Sequence, residues 1–429
     1  MSHTIDSQRR HLESLPRADL ERYQLGRLNA LLDRILPGNQ FYAQKLARVK
    51  RPVESLAELA EWPCTFKEEL LGHTREGDAV ANLTWPIAKY SRFHQTSGTT
   101  GRPMVVLDTL DDWQWVLECW EYVLDAAGIR ADDRVLMAFS FGPHIGFWGA
   151  YEAMSQRGAL VIPTGGMSSL QRLEMARNHG PTVVCCTPSY ALHLAEVAEH
   201  HDVDVSQLGV RTLVLAGEPG GSVPAVRQRI HQAFNADVHD HCGATEIGPW
   251  GYGDPQGNGL YVIEAEHIAE FLSLATGAPA KEGEEAELVL TNLGRVGCPV
   301  IRYRTGDVVR PKWNFGGPNR FVMLDGGVLG RTDDMLVVRG VNVFPTGIDH
   351  ILRSFPEVVE YRATVYRISE MDRLRIEIED RLQQPDRIAQ ELRLRLGLRV
   401  EVESVPLGSL PRFEGKARRF IDQRAKTKL

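Results

Sequence analysis

The chain has no Cys-x-x-Cys pair: its six cysteines, Cys64, Cys119, Cys185, Cys186, Cys242 and Cys298, are scattered along 429 residues. Thiols placed this way suit a reducing cytoplasm rather than a disulfide framework. The first ten residues, MSHTIDSQRR, lack an apolar signal region, so no secretory targeting is expected. No window approaches the roughly 20 uninterrupted apolar residues of a bilayer span, which excludes a helical membrane anchor as an expectation. Positive charge is also in short supply. The formal net charge of −7 repels nucleic-acid phosphates, and it leaves any anionic ligand to find its cations locally. No internal repeat, low-complexity tract or long linker interrupts the chain. Its composition, 43% hydrophobic and 24% charged, is that of a folded protein with enough length for two or more cores.

Between Ala18 and Leu36, the residues Leu20, Tyr23, Leu28, Leu31, Leu32 and Ile35 recur at three- and four-residue intervals, which predicts one helix with an apolar face. Over roughly residues 90 to 250, short apolar runs such as ADDRVLMAFSFG, GALVIPTGG, PTVVCCTPS and VRTLVLAGEPGG alternate with helical stretches such as DDWQWVLECWEYVLDAAG. That alternation predicts parallel α/β layers with ligand loops at the strand ends. Beyond GEEAELVLTNLG the pattern becomes strand-rich and antiparallel. In the last hundred residues, ATVYRIS, LRIEIED and RVEVESVPL read as strands and QPDRIAQELRLRLG as an amphipathic helix. The expected fold is therefore α/β, with a large N-terminal domain over 1–330 and a small C-terminal α+β domain over 331–429. The boundary is placed near Arg331 to Asp334, where a glycine and charged residues separate two β-rich segments.

The stretch HQTSGTTGRPMVV, residues 94 to 106, holds six Ser, Thr and Gly residues in a row. That composition fits a flexible linker, but both flanks read as strand, and a linker would join domains instead. Glycines let backbone N–H groups approach an anion, and hydroxyls add donors, so the run suits a polyphosphate. A nucleotide hydrolase of the Walker type would need Gly-Lys-Ser/Thr leading into a helix. Here Arg102-Pro103 and a strand follow.

The TSGTTGRP run resembles the phosphate loop of the adenylate-forming superfamily, the acyl- and aryl-CoA synthetases and their relatives. HCGATE at 241–246 is similar to that family's second signature, YRTGD at 303–307 to its ribose-binding signature, GRTDDMLVVRG at 330–340 to its hinge, and PRFEGKARR at 411–419 to its terminal lysine signature. RLNALLDRILPGNQFYAQKL, TFKEELLGH and RGVNVFPTGIDHIL resemble segments of the phenylacetate–CoA ligase group. Together the matches run from about residue 20 to the end, and they imply the adenylate-forming enzyme fold.

The resemblance implies roles residue by residue. Thr96, Ser97, Gly98, Thr99, Thr100 and Gly101 would hold the β- and γ-phosphates of ATP, with Arg102 adding a cation. Glu246 would be the Mg2+ ligand, a hard carboxylate for a metal that prefers oxygen, and Thr245 would donate to the α-phosphate. Asp307 would accept from the ribose diol, and Arg331 would reach the ribose or α-phosphate. Ala216, Gly217, Glu218 and Pro219 would close the adenine side. Lys416 would be the catalytic lysine, carried by a small domain that pivots at Asp333 and admits coenzyme A in its second pose. Taken alone, each of these residues also has an ordinary reading as a turn, cap or solvated charge.

For the acid pocket, FSFGPHIGFWGAY supplies Phe141, Gly142, His144, Ile145 and Gly146, with Gly243 and Ala244 of the second signature beside them. An aromatic-lined slot stacks an aryl ring well, although Phe139, Phe147 and Trp148 also read as core, and His144 as a structural histidine. Some relatives carry extra Cys and His residues consistent with structural zinc. Here His239, His241, Cys242, His267 and Cys298 are available donors, but Asp254 and Tyr261 stand where a thiol and an imidazole would help, and tetrahedral zinc wants four N or S donors. The implied activity is an ATP-, Mg2+- and coenzyme A-dependent ligase for an aryl or arylacetic acid, working through an acyl-adenylate. The alternatives are an adenylating enzyme that hands the acyl group to a carrier-protein thiol, amine or hydroxyl, and a non-catalytic nucleotide-binding protein. The resemblance suggests a homodimer.

Overall fold

Val183–Cys186 and Thr212–Leu215 are buried on both faces, which is why they read as unbroken apolar runs instead of alternating ones. In the computed structural model, which describes residues 2–71, 80–96, 103–314, 316–334, 336–338, 341–368, 371–413 and 419–424, they lie inside a nine-stranded sheet. Its order is Pro311–Lys312, Met323–Asp325, Gly259–Val262, Gly248–Gly253, Asp237–Ala244, Thr212–Leu215, Val183–Cys186, Arg134–Met137, Leu160–Pro163. The five strands from Asp237–Ala244 to Leu160–Pro163 pair in parallel, connected by the helices Ile145–Arg157, Ser169–His179, Pro188–His200 and Pro224–Phe234. Parallel α/β layering thus holds for the region that predicted it.

Residues 92–108 depart from that reading. Arg92–Gln95 and Val105–Asp108 form an antiparallel pair of their own, because the connection between them is far too short for the dozen or more residues of a parallel crossover.

Arg134–Met137 lies between its sequence successor Leu160–Pro163 and Val183–Cys186. This reversal of strand order opens a crevice at the carboxyl ends, the usual ligand position in such sheets. The segments leaving those ends are 138–144, Thr187 and 216–219.

The antiparallel region forms a second sheet, His267–Ser273, Ala286–Asn292, Tyr303–Val309 and Gly330–Arg331. The helix Arg17–Ile35 buries Leu20, Leu28, Leu31, Leu32 and Ile35 as the periodicity requires, with Tyr23 at the margin. It also buries Gln24, whose amide nitrogen donates to the carbonyls of Glu264 and His267 at 2.8 and 2.9 Å, so both N–H groups of a polar side chain on the apolar face are taken up by the backbone of the second sheet's edge.

The C-terminal unit has its own core, including Ile351, Val365, Ile376 and Leu392. Its four-stranded sheet runs Glu401–Ser404, Met371–Asp380, Val358–Ile368, Phe420–Asp422, covered by Pro345–Arg353 and Pro385–Leu396. Among the described residues no helix is long and apolar enough to cross a membrane.

Candidate active site

The strands Arg92–Gln95 and Val105–Asp108 pair as a hairpin, and Thr96 and Met104 follow and precede them on its open side. Thr96 closes it twice: its N–H donates to the Met104 carbonyl, and its Oγ1 accepts from the Met104 N–H, both at 2.9 Å. Ser97, Gly98, Thr99, Thr100, Gly101 and Arg102 lie outside the described residues. The Gln95 N–H donates to the Pro143 carbonyl at 2.8 Å, which straps the 141–144 segment to the mouth of the hairpin.

At the base of the hairpin, Asp108 accepts from Nε and Nη2 of Arg295, and Nη1 of the same guanidinium donates to the Thr245 carbonyl at 2.9 Å. Asp112 takes the N–H groups of Val296 and Gly297 on one carboxylate oxygen, at 2.7 and 3.0 Å. Residues 294–297 therefore fit tightly between two carboxylates and Trp115. A Cβ at Gly294 would lie 2.1 Å from Trp115, and one at Gly297 2.3 Å from Asp112, so both positions need glycine. His94 completes this layer, stacked on Trp113 with centroids 5.2 Å apart. Burial, then the charges of Arg295 and Arg92, push its imidazole down to about 4, and it is neutral at working pH.

Glu246 is 9% exposed, and its Oε1 accepts from the Tyr303 hydroxyl at 2.7 Å. Burial and the adjacent carboxylate push the Tyr303 phenol far up, so it stays a donor. No donor among the described residues takes the other oxygen of Glu246. A half-satisfied hard carboxylate at the rim of a buried layer fits a Mg2+ ligand.

Tyr303 begins the strand that carries Asp307. The Asp307 N–H donates to Thr305 Oγ1 at 2.9 Å, and Thr305 Oγ1 donates to the Leu288 carbonyl at 2.8 Å. Across the sheet, Arg331 pairs in register with Asp307 and donates from Nη1 to Asp307 Oδ1 at 3.1 Å and to the Thr305 carbonyl at 3.2 Å. Its Nε and Nη2 fork over Asp333 at 2.8 and 3.0 Å. Burial acts to raise the Asp333 carboxyl, but the hydrogen bonds and charge of Arg331 outweigh it and hold the group below its usual range. One guanidinium thus links the ribose candidate to the hinge candidate.

Phe141 packs against Trp148 at 5.0 Å and edge-on to Tyr151 at 5.9 Å. Trp148 Nε1 donates to the Gly142 carbonyl at 2.8 Å. His144 sits before the first turn of Ile145–Arg157, its ring perpendicular to Phe147 at 6.0 Å, while Phe139 packs on Phe147 at 4.3 Å. Ile145 is buried, whereas Gly146 and Gly243 are exposed and Ala244 is half-buried. On the adenine side, the Ala216 N–H donates to the Cys186 carbonyl at 3.1 Å, Gly217 has φ +94°, and Glu218 Oε1 accepts from the Ser189 N–H at 2.8 Å. Pro219 precedes the turn that ends in Ser222, whose hydroxyl donates to Asp240 at 2.6 Å. Burial pushes the Asp240 carboxyl up to about 6.

The structure therefore joins Thr96, Thr245, Glu246, Asp307, Arg331 and Asp333 through a continuous set of hydrogen bonds and shared strands. Lys416 lies outside the described residues. Among those described, no cluster of three or more His, Cys, Asp or Glu side chains could hold a metal ion. His241 instead donates from Nδ1 to the Gly251 carbonyl at 2.9 Å and packs on Trp120 at 4.2 Å. Sequence reasoning missed Asp108, Asp112 and Arg295. The one signal available was the paired glycines of GRVG, which mark a close approach of backbone to something large.

Comparison with known proteins places the chain among relatives of the same fold. Residues 93–290 match the AMP-binding enzyme family, and residues 340–424 match the AMP-binding enzyme C-terminal domain. The phenylacetate-coenzyme A ligase of Thermus thermophilus is 30% identical, over 96% of this chain and 98% of that one. The 2-hydroxyisobutyryl-CoA ligase, in its postadenylation state in complex with 2-HIB-AMP, superposes with a TM-score of 0.89 at 28% identity, covering 97% of this chain and 92% of that one. In its thioesterification state, in complex with 2-HIB-AMP and CoA, the same protein gives a TM-score of 0.72 at 29% identity, covering 96% and 91%.

Proposed function

The chain belongs to the AMP-binding enzyme family, in the phenylacetate-coenzyme A ligase-like group, and on that premise we propose that it is an ATP-dependent acid–CoA ligase acting on an aromatic carboxylic acid. In the first half-reaction a carboxylate oxygen of the acid attacks the α-phosphorus of ATP. The bond to the β-phosphate breaks, and pyrophosphate leaves. In the second, the thiol sulfur of coenzyme A attacks the acyl carbon, AMP departs, and the thiol proton goes to solvent.

Both reactants of the first step are anions, so the site must neutralise charge and fix an in-line geometry. Thr96 and the following hydroxyls and glycines hold the departing diphosphate. Thr245 is aimed at the α-phosphate by Arg295, which grips its carbonyl. Asp307, stiffened by Thr305 and Arg331, accepts from the ribose diol. Glu246, oriented by Tyr303, would hold Mg2+, which supplies charge neutralisation on the phosphates when bound. Lys416 brings an ammonium to the two reacting anions, and Asp333 is the pivot between a domain over 1–330 and one over 331–429. Ala216 to Pro219 cover the adenine. Phe141, Gly142, His144, Ile145 and Gly146, with Gly243 and Ala244, border the acid.

The observation that carries this reading is the buried run of bonds from the hairpin base through Asp108, Arg295 and Thr245 to Glu246 and Tyr303. It ties the phosphate loop, the second signature and the ribose strand into one rigid frame. The rings of Phe141, Trp148 and Tyr151 favour an aryl acid. The same reading makes the enzyme a cytoplasmic homodimer.

To test it, purified protein is given Mg-ATP and a panel of aryl and arylacetic acids, with 2-hydroxyisobutyrate as an aliphatic control. Acid-dependent pyrophosphate release and the mass of the CoA thioester are then followed. Release with an aromatic acid, and a thioester only when coenzyme A is present, is the expected result. No release with any acid sinks the proposal, and an adenylate that coenzyme A does not discharge moves the assignment to another acceptor.

A further inference from the structure

A cleft of about 500 Å³ separates the helices Pro188–His200 and Pro224–Phe234 from the C-terminal unit, with Arg229, Arg353 and Phe413 among its walls. Few polar contacts cross it. Arg381 meets Glu199 at 3.4 Å with both side chains mostly exposed, a contact of the kind that contributes little. Arg229 donates to the Val358 carbonyl at a long 3.4 Å. Arg412 is different. Its Nη2 and Nε donate to the two carboxylate oxygens of Glu196 on the N-terminal side, at 3.0 and 3.2 Å. Its Nη2 and Nη1 also donate to Glu379 of its own unit, at 2.8 and 3.1 Å.

Glu379 holds the segment as well as the side chain, because its Oε1 accepts the Leu410 N–H at 2.7 Å. Arg412 and Glu196 are each less than a quarter exposed, and Glu379 is not exposed at all. A planar guanidinium shared between two carboxylates has its orientation fixed by either one, so the clasp is rigid on the C-terminal side and separable on the other. It lies four residues before Lys416 in the chain. The domain arrangement in which it forms superposes better on the postadenylation state of the 2-hydroxyisobutyryl-CoA ligase than on its thioesterification state, at nearly equal coverage.

We infer that Glu196 and Arg412 form a latch that holds the C-terminal unit in the adenylate-forming pose, with Arg412 as a positioning residue for the segment carrying Lys416, and that the latch must part before coenzyme A attacks. The inference rests on the ligase reading above. Glu379 stays with Arg412 throughout, so the guanidinium is never left without a partner when the pose changes.

The test uses the full chain with Glu196→Gln, which removes one charge from the N-terminal side and leaves the Arg412–Glu379 pair intact, and with Arg412→Lys, which keeps the charge and loses the fork. Three quantities are read: single-turnover pyrophosphate release, discharge of enzyme-bound acyl-adenylate by coenzyme A, and the radius of gyration of the ligand-free protein by solution X-ray scattering. Both variants should slow pyrophosphate release about tenfold, a coupling of ordinary size between two poses. They should leave the discharge step within about twofold and enlarge the radius of gyration. Equal loss in both half-reactions, or no change in either, overturns the latch. So does scattering identical to the parent protein. If the parent protein itself releases no pyrophosphate with any acid, the ligase reading falls separately, and the scattering comparison alone decides the latch.

Discussion

Arg295 forks over Asp108 with neither side chain exposed to solvent, its Nε and Nη2 lying 2.7 and 2.8 Å from the two carboxylate oxygens. A buried pair of this kind gives little net stability over apolar residues of the same shape, because both charges lose their hydration. Its third bond, to the Thr245 carbonyl, shows what the pair does instead. It sets the spacing between the phosphate hairpin and the second signature.

Breaking the pair on one side leaves an uncompensated buried charge. Arg295→Met alone should destabilise the protein by about 3 to 5 kcal/mol, seen as a lower denaturation midpoint in urea. Adding Asp108→Asn to that variant should recover more than half of the loss, because the stranded carboxylate is gone. A cost below about 1 kcal/mol for Arg295→Met would mean that the carboxylate finds other compensation and the pair is not the spacer described here.

Glu246 and Tyr303 divide their work in a way that kinetics can separate. Glu246→Gln still accepts from the Tyr303 hydroxyl, so it removes charge while keeping shape. Pyrophosphate release should fall by roughly a hundredfold or more, as expected when a charged group at a reacting phosphate is lost, with the melting temperature nearly unchanged. Tyr303→Phe keeps the charge and frees its orientation. It should cost about three- to tenfold and raise the Mg2+ concentration needed for half-maximal rate, since partners behind a metal ligand typically tune affinity by about ten- to a hundredfold. A normal Mg2+ requirement in both variants would remove Glu246 from the metal site.

Lys416→Ala offers a different separation. The ammonium is assigned only to the adenylating step, so acid-dependent pyrophosphate release should be lost, while ATP binding by calorimetry and the discharge of a supplied acyl-adenylate by coenzyme A should both survive. Loss of the discharge step to the same extent would place the lysine in both half-reactions and contradict its assigned role.

How legible was this in the sequence? The parallel strands could be read because burial on both faces forces continuous apolar runs, as in Val183–Cys186. The strand after TSGTTG was equally clear from its β-branched Val105 and Val106. Its pairing with Arg92–Gln95 outside the main sheet was not, because periodicity reports which face is buried and not which neighbour covers it. Glu246, Asp307 and Arg331 were named as candidates through motifs. Asp108, Asp112 and Arg295 carry no motif of their own. They lie up to 187 residues apart, and each resembles a surface charge until the fold brings it inside. The clasp at Arg412 was hidden for the same reason. Its three members come from a helix, a strand and a loop, and their meeting depends on one relative placement of two folded units.

Asp240 gives a prediction whose sign is set by burial. Its carboxyl, ordinarily near 3.8, is lifted to about 6 because it is enclosed beneath Ser222 and between Gly221 and Gly253. The folded protein therefore binds this proton more tightly than the unfolded chain does. Stability from the protonated form is fully present below about pH 4 and is lost as pH rises through about 6, which leaves a cost of ~3 kcal/mol at neutral pH. Asparagine can replace the carboxyl in place, its oxygen accepting the His241 N–H as Asp240 Oδ1 does at 3.0 Å and its amide donating to the Ser222 hydroxyl. Asp240→Asn should therefore raise the thermal midpoint at pH 7.5 by several degrees and leave it unchanged at pH 4. The difference between variant and parent cancels other groups that titrate over this range, including the buried His94 and His241, both held near 4. A gain that is the same at both pH values would assign the effect to packing, and no gain at pH 7.5 would mean that the hydrogen bonds from Ser222 and His241 and the charge of Arg227 offset the burial of the Asp240 carboxylate.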